Sequence, residues 1–255
     1  MSTPANSTEQ KVWLISGANR GIGFGLVNNL LARSDVIIYA GAREPAKATE
    51  LQKLAAEHKN LHIVKLTSGS VEEAKQVAAV IEKQSGGLDY VVANAGIANF
   101  TSRLEAVTLE DFNEHFQVNV VGVLVLFQAT LPLLLKRTTR VFEAVGSGAG
   151  SITNAHHFVA FNNGSYSLSK AALNYLVRRI SVEHAQDDLI AIAVHPGLVE
   201  TDSSKEFLKR PEAAALKSGA IQPDDSAKAL LAIADKATKE TSGKFLNYDG
   251  TELPW

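Results

Sequence analysis

The stretch Ser16-Gly17-Ala18-Asn19-Arg20-Gly21-Ile22-Gly23 follows the apolar run Lys11–Ser16 and leads directly into Gly21–Arg33, which has a helical period. Glycines at these positions allow a sharp turn and let the backbone approach a pyrophosphate closely. The N-terminus of the following helix offers oriented N–H groups to phosphates. Three glycines alone could form a simple tight turn, but their place between a strand and a helix favours nucleotide binding.

The composition is that of an ordinary globular protein. The chain has 255 residues, of which 45% are hydrophobic and 20% charged, so it can bury a large core. A formal net charge of −2 gives no electrostatic reason to expect nucleic acid or an anionic membrane as the main partner. The absence of cysteine excludes disulfides, thiolate nucleophiles and cysteine-based metal sites.

Two segments bear on where the protein resides. Residues 1–10 are small and polar and lack the basic and apolar regions of a signal peptide, so we expect a flexible tail. The longest apolar run, Val118–Leu135, is interrupted by Asn119, Gly122 and Pro132, which favours a buried amphipathic helix over a membrane span. A cytoplasmic protein is the expectation.

Short apolar runs alternate with longer segments whose apolar residues recur every three or four positions. The short runs are rich in Val, Ile, Leu and Ala without strict alternation, as in a sheet covered on both faces. This order predicts a Rossmann-type, doubly wound α/β fold with about seven parallel strands in three α/β/α layers, built as a single domain over residues 1–255. The predicted strands are Lys11–Ser16, Val36–Gly41, Leu61–Leu66, Leu88–Ala93, Arg140–Gly146, Leu189–His195 and Lys244–Tyr248. The predicted helices are Gly21–Arg33, Pro45–His58, Val71–Gln84, Leu109–Lys136, Ser165–Ala185 and Pro223–Lys239.

Tyr166 and Lys170 lie four residues apart at the head of an apolar helix. This spacing places both side chains on one helix face. An isolated phenol titrates near pH ~10, and a neighbouring cation lowers that pKa toward the range of general acid–base catalysis. The pair therefore predicts an acid–base site, although the same spacing also arises by chance.

Four motifs occur in a fixed order: the glycine turn with the spacing G-x-x-x-G-x-G, Asn94-Ala95-Gly96, Tyr166-x-x-x-Lys170 and Pro196-Gly197. In this order they resemble the short-chain dehydrogenase/reductase family, over nearly the whole chain. The phrases Ala42-Arg43-Glu44-Pro45 and His195-Pro196-Gly197-Leu198-Val199-Glu200-Thr201-Asp202 are similar to its carbonyl-reductase-like branch, which includes norsolorinic acid ketoreductases and sniffer-type carbonyl reductases.

The resemblance implies a catalytic tetrad of Asn119, Ser147, Tyr166 and Lys170. Tyr166 would be the proton donor in reduction, and Lys170 would lower its pKa and hold the nicotinamide ribose. Ser147 matches the serine that hydrogen-bonds the substrate carbonyl oxygen, with Ser151 as a nearby competitor. Asn119 matches an asparagine in a locally distorted helix. Fixed donors such as Ser147 and Tyr166 suit a developing alkoxide charge.

NADP(H) is the expected cofactor. The second strand ends without a carboxylate, while Arg20 and Arg43 can reach the adenosine end, where arginine suits a 2′-phosphate. Thr67 stands where many relatives carry an adenine-contacting Asp. The positions expected to contact the cofactor are Gly17, Asn19, Arg20, Gly21, Ile22, Gly23, Arg43, Thr67, Asn94, Ala95, Gly96, Tyr166, Lys170, Pro196, Gly197, Val199 and Thr201.

Three features have no clear place in this scheme. Glu143 falls inside a predicted strand, where a partly exposed position or a partner such as Arg140 is expected. An insertion around His156-His157 should border the substrate pocket with Phe158 and Phe161, and two histidines without a third ligand do not predict a metal site. The segment 200–222 is polar, which indicates a mobile substrate loop or lid.

The leading hypothesis is an NADPH-dependent reductase of a ketone or aldehyde. A secondary-alcohol dehydrogenase working in the oxidative direction is the enzymatic alternative, and an NADP(H)-sensing protein without turnover is the third. The helices Leu109–Lys136 and Ser165–Ala185 are apolar on more than one face, so a homodimer or homotetramer is expected, with a monomer as the alternative.

Overall fold

The computed structural model describes residues 10–99, 103–210, 213 and 217–255. Within these residues, seven strands form one sheet in the order β3-β2-β1-β4-β5-β6-β7. Every neighbouring pair is parallel, so the predicted Rossmann-type α/β fold is confirmed. The strands are β1 (Lys11–Ile15), β2 (Val36–Ala42), β3 (Leu61–Lys65), β4 (Tyr90–Ala93), β5 (Val141–Val145), β6 (Ile190–His195) and β7 (Phe245–Asn247).

The helices connect the strands and begin and end where local chemistry requires it. For example, the Ser70 hydroxyl accepts a hydrogen bond from the N–H of Glu73, and Gly86 ends the same helix with a left-handed φ of 74°. The helices are α1 (Gly21–Leu31), α2 (Thr49–Glu57), α3 (Val71–Ser85), α4 (Leu109–Phe116), α5 (Gly122–Leu134), α6 (Gly164–Glu183), α7 (Asp202–Leu208) and α8 (Pro223–Asp235).

Both faces of the sheet are buried, which explains why its strands lack strict alternation. Ile15 and Val92 belong to one core, which α1 and α8 cover. Leu14 and Val91 belong to the other, which α3, α5 and α6 cover. The strand order reverses between β1 and β4, so a crevice opens at the carboxyl ends of these central strands.

The predicted helix Leu109–Lys136 is divided in the structure. A π-helical turn, Gln117–Val121, separates α4 from α5. By length and mean hydropathy (1.7) the stretch Leu109–Leu134 could cross a membrane. Its residues Leu126, Phe127 and Leu133 pack instead into the core beneath the sheet, as expected of a core helix.

Two predicted segments fall partly outside the described residues. Of the expected tail 1–10, only residue 10 is described. Within the expected substrate loop 200–222, residues 211, 212 and 214–216 are not described. The remainder contains α7 and a short 3-10 turn, Lys217–Gly219, neither of which the polar sequence predicted.

The environment predicted for Glu143 is wrong. Its side chain is 1% exposed, and neither carboxyl oxygen has a hydrogen-bond partner among the described residues. Arg140 turns away and donates to the backbone oxygens of Arg137 and Asp187, each at 2.6 Å. Burial, with a smaller contribution from the charge of Asp235, raises the pKa of Glu143 to about 8, so the carboxyl group is protonated at neutral pH.

Candidate active site

The glycine turn between β1 and α1 is unsuited to side chains at its three glycine positions. Gly17 and Gly21 have φ values of 64° and 55°, in the left-handed region that favours glycine. A Cβ atom on Gly23 would lie 2.2 Å from the carbonyl oxygen of Gly17. Arg20 precedes α1 without capping it through its side chain. This surface of bare backbone at a helix N-terminus fits the pyrophosphate of a dinucleotide.

Asn94, at the end of β4, braces this turn from the side. Its Nδ2 atom donates to the carbonyl oxygens of Ser16 and Gly17 at 3.0 and 3.1 Å. The Ser16 hydroxyl in turn accepts hydrogen bonds from the N–H groups of Asn94 and Ala95, both at 3.0 Å. Because these bonds join the ends of β1 and β4, the turn is held beside the crevice.

Gly96 connects the turn with the predicted catalytic residues. A Cβ atom there would lie 3.1 Å from Oδ1 of Asn119 and 3.6 Å from Nζ of Lys170. The backbone of this loop therefore passes close to both side chains, and the Asn94-Ala95-Gly96 motif converges on the same place as the tetrad.

Asn119 lies in the π-helical turn and is fully buried. Its side-chain oxygen accepts from the N–H of Ile97 at 2.9 Å, and its Nδ2 atom donates to the carbonyl oxygen of Ile97 and the hydroxyl of Ser169, both at 3.0 Å. Ser169 itself donates to the carbonyl oxygen of Tyr166 at 2.7 Å. The amide thus ties the loop after β4 to α6, and it belongs to a locally distorted helix as predicted.

Tyr166 and Lys170 lie one turn apart on α6; Lys170 is buried, and Tyr166 is half-buried in the cavity wall. The Lys170 ammonium donates to the carbonyl oxygen of Val145 at 2.7 Å. This bond to the end of β5 fixes the long lysine side chain. The predicted acid–base pair is therefore held by both a helix and the central sheet.

The protonation behaviour of the pair differs from the prediction. Burial raises the pKa of Tyr166, and the hydrogen bond with Ser147 offsets only part of this rise. Burial also lowers the pKa of Lys170 to about 8. The expected lowering of the tyrosine pKa is wrong for this structure because desolvation disfavours both charged forms.

The structure separates the two candidate serines. Ser147 follows β5, hydrogen-bonds Tyr166 and accepts from the N–H of Ala149 at 3.2 Å. The Ser151 hydroxyl donates to the carbonyl oxygen of Pro254 at 2.7 Å and accepts from the N–H of Asn154 at 3.1 Å. Ser147 lines the central cavity. The two hydrogen bonds of the Ser151 hydroxyl, by contrast, are to backbone atoms outside the cavity lining.

A cavity of about 560 Å³ joins the residues beside the glycine turn with three of the predicted catalytic residues. Its walls include Phe158 and Phe161 from the predicted insertion, and Ser204 and Gly219 from the predicted substrate loop. Both segments therefore border the pocket, as the sequence predicted. The predicted site residues that line it are Ile22, Asn94, Gly96, Ser147, Tyr166, Lys170, Pro196, Gly197, Val199 and Thr201.

The remaining predicted positions lie around this cavity and are not part of its lining. Arg20 is exposed, with its guanidinium 3.7 Å from the Asp202 carboxylate at the start of α7. Arg43 is exposed directly after β2. The N–H of Thr67 donates to the Glu73 carboxylate at 2.7 Å. Gly17, Asn19, Gly21, Gly23 and Ala95 belong to the turn and its brace, and Asn119 lies beneath the loop after β4.

Two residues of the site, Ser169 and His195, have no role in the prediction from sequence. Ser169 links Asn119 to Tyr166, but a serine inside a helix carries no signal for such a bridge. His195 lines the cavity at the carboxyl end of β6. Its place at the end of a predicted strand, directly before Pro196-Gly197, could have indicated this, because the carboxyl ends of parallel strands form the site in this fold.

The fold and the site define a dinucleotide-dependent oxidoreductase of the α/β class. The short chain dehydrogenase family model matches residues 11–212. The chain belongs to this family and is an oxidoreductase. The resemblance drawn from the four motifs is therefore confirmed.

The relatives include the predicted branch. An uncharacterised oxidoreductase of Schizosaccharomyces pombe is 36% identical, over 98% of this chain and 100% of that protein. A norsolorinic acid ketoreductase of Aspergillus parasiticus is 35% identical, over 100% of this chain and 96% of its own length. The NADPH-bound carbonyl reductase from chicken fatty liver superposes with a TM-score of 0.87 at 33% identity, covering 97% of this chain and 95% of that one. Carbonyl reductase Sniffer of D. melanogaster gives 0.86 at 29% identity, covering 97% and 100%.

Proposed function

We propose that this oxidoreductase reduces a ketone or aldehyde with NADPH, using Tyr166 as the proton donor. The observation that carries the proposal is the convergence of Ser147, Tyr166 and Lys170 on one cavity that also reaches Asn94 and Gly96 beside the glycine turn. When bound, the nicotinamide supplies the hydride. A carbonyl compound in the same cavity would meet the hydroxyl groups of Ser147 and Tyr166.

Each side chain has a separate role in this proposal. The Ser147 hydroxyl holds the carbonyl oxygen and, with Tyr166, stabilises the negative charge that develops there. Tyr166 gives its proton to that oxygen. The raised pKa of Tyr166 supports this role because it keeps the phenol protonated at neutral pH. The Lys170 ammonium favours the phenolate that remains and holds the ribose hydroxyls.

The preference for NADPH over NADH rests on Arg20 and Arg43. Both guanidiniums are exposed, Arg20 within the glycine turn and Arg43 directly after β2, and a guanidinium forms paired hydrogen bonds with phosphate. The carboxylate of Glu44, directly after Arg43, forms an ion pair with Lys47 at 2.5 Å, which lowers its pKa. The similar chicken carbonyl reductase, whose structure contains bound NADPH, adds support.

We also propose a cytoplasmic protein that forms a homodimer or homotetramer. Large apolar side chains remain exposed on α4 and α6: Leu109 is 79% exposed, Tyr175 68% and Val182 59%. Burying these side chains against a second copy would remove apolar surface from water. Light scattering coupled to size-exclusion chromatography measures the mass directly, and a monomer at all concentrations would contradict this part of the proposal.

One assay tests the function. The purified protein is mixed with NADPH or NADH and a panel of aryl ketones, diketones, aldehydes and quinones, and the loss of reduced nicotinamide absorbance is followed. We expect turnover of at least one carbonyl class with NADPH. Tight NADPH binding without turnover of any carbonyl would contradict the reductase and favour a sensor, while turnover only of alcohols with NADP⁺ would favour the oxidative direction.

A further inference from the structure

The imidazole of His195 forms part of the cavity wall. Its Nδ1 atom is buried and has no hydrogen-bond partner among the described residues. The buried Asn119 amide nearby is, by contrast, hydrogen-bonded through both its oxygen and its nitrogen. A buried polar atom without a partner is costly, so hydrogen bonding to the described residues does not account for an imidazole at this position.

The geometry fixes which edge of the ring can meet a ligand. Nδ1 is shielded, whereas the Cδ2–Nε2 edge faces Gly148, with Nε2 3.6 Å from the position of a Cβ on that residue. Gly148 directly follows Ser147, and the ring of Phe158 also approaches it, with Cζ 3.2 Å from the same Cβ position. Nε2 therefore lies beside Gly148, the residue that follows Ser147, on the wall that Phe158 shares.

The ring is a neutral hydrogen-bonding group rather than an acid. Burial lowers the pKa of His195 to about 4, so the imidazole carries no charge at neutral pH. The other nitrogen makes no hydrogen bond to the described residues that would fix the tautomer. Nε2 can therefore donate to a carbonyl oxygen or accept from a hydroxyl group.

Apolar side chains make up part of the cavity wall, alongside the polar Asn163, Ser204 and Ser218 and three of the predicted catalytic residues. Phe158, Phe161, Ile97 and Leu198 line the same cavity, so part of a substrate would lie against aromatic and aliphatic side chains. Against such side chains a polar atom selects for a matching polar atom on the ligand, because a ligand without it would displace water from Nε2 and leave that nitrogen unpaired in the complex.

We infer that His195 is a specificity residue, which binds through Nε2 a second oxygen of the substrate, so that the enzyme prefers carbonyl compounds with a carbonyl or hydroxyl group adjacent to the reacting carbonyl. The inference rests on the proposed reductase function. It adds a substrate class, the vicinal dicarbonyl and hydroxycarbonyl compounds, to that function.

The test compares two ketones of the same carbon skeleton, 1-phenylpropane-1,2-dione and 1-phenylpropan-1-one. His195→Phe keeps a flat ring and removes both nitrogens, while His195→Gln keeps a donor and an acceptor. We expect His195→Phe to raise KM for the dione by about tenfold or more and to leave KM for the monoketone within about twofold. His195→Gln should restore much of the loss. The Kd for NADPH, from fluorescence titration, should be unchanged in both variants.

A binding measurement separates this inference from the proposed function. Calorimetry with the protein saturated by NADP⁺ gives the Kd of the dione in a complex that cannot reduce it. A weaker Kd in His195→Phe supports the inference even where turnover is absent. Equal Kd values for wild type and His195→Phe, equal losses for both ketones, or no binding of the dione to the wild type would each overturn it.

Discussion

The Nζ atom of Lys170 lies 5.8 Å from the centre of the Tyr166 ring. Both groups line the same cavity, and desolvation moves their pKa values in opposite directions, up for the phenol and down to about 8 for the ammonium. The phenol therefore stays protonated at neutral pH. Lys170 is the member of the pair whose charge changes just above neutral pH.

Replacing Tyr166 with Phe removes only the hydroxyl group. We expect turnover to fall by about 10²–10⁴, because the proton would have to come from water. The Kd for NADPH and the melting temperature should change little, which steady-state kinetics, fluorescence titration and thermal unfolding would check together. A variant with the wild-type rate would refute the role of Tyr166.

Reduction should depend on the charge of Lys170. This group is charged below pH ~8 and loses its proton as the pH rises through its pKa, so kcat/KM for NADPH should fall above about pH 8. Tyr166 does not contribute to this limb because its pKa is raised above the ordinary value. The profile is measured from about pH 6 to about pH 10. Lys170→Arg keeps a positive charge throughout, and a limb that persists unchanged in this variant would assign it to another group.

Ser147 and Ser151 form a matched pair for testing the site. Ser147→Ala removes the hydroxyl beside Tyr166, and we expect kcat to fall by about 10–10³. Ser151→Ala removes the hydrogen bond to Pro254 and should lower stability by about 1 kcal/mol, with kcat unchanged. Kinetics and thermal unfolding on both variants decide this. Equal losses of kcat in both variants would contradict the assignment of Ser147, and not Ser151, as the serine that binds the carbonyl oxygen.

Arg43 should contribute to binding the 2′-phosphate. We expect Arg43→Ala to raise the Kd for NADPH about tenfold or more and to leave the Kd for NADH nearly unchanged, since only NADPH carries that phosphate. Arg179→Ala is the control: this exposed arginine is paired with Glu183 on α6, more than two turns beyond Lys170. Equal effects of Arg43→Ala on both cofactors would rule out the proposed contact.

Glu143 should make the protein less stable as the pH rises. Its pKa is raised to about 8 in the folded state, against ~4.3 in an unfolded chain. Between these values the folded state holds a proton that the unfolded state has lost, so the free energy of unfolding decreases from about pH 4.3 to about pH 8.

The substitution Glu143→Gln removes this titration and keeps the size of the side chain. We expect the melting temperature of the variant to exceed that of the wild type by more at pH ~8 than at pH ~5. Glu57→Gln, at an exposed position on α2, serves as the control and should show no such difference. A constant difference between wild type and Glu143→Gln across this range would contradict the prediction.

The strands and helices were largely predictable because each signal was local. Apolar runs ended by Gly or Asn fixed the strands, and the glycine turn fixed the start of α1 within its own sequence. The break between α4 and α5 at the π-helical turn came from the family resemblance, since the period of Leu109–Lys136 is continuous in the sequence. The short helix α7 was missed because its first five residues are polar and it is too short to show an apolar stripe.

The parts of the site that could not be predicted depend on distances between remote segments. Nothing in the sequence around Glu143 shows that Arg140 would turn toward Asp187. Similarly, a helical spacing indicates that Tyr166 and Lys170 share a face, but the sign of their pKa shifts depends on burial by β5 and the loop after β4. Residue types were thus recoverable from sequence, while protonation states required the packed structure.

The π-helical turn Gln117–Val121 makes this region unusually sensitive to a change in chain length. Such a turn holds one residue more than a regular helix needs, so a single deletion there would restore an ordinary helix without breaking the polypeptide. The residues after the deletion would rotate by about 100°, which would displace Asn119 from Ile97 and Ser169. A deletion that makes the helix more regular would therefore take apart the site that the irregular helix supports.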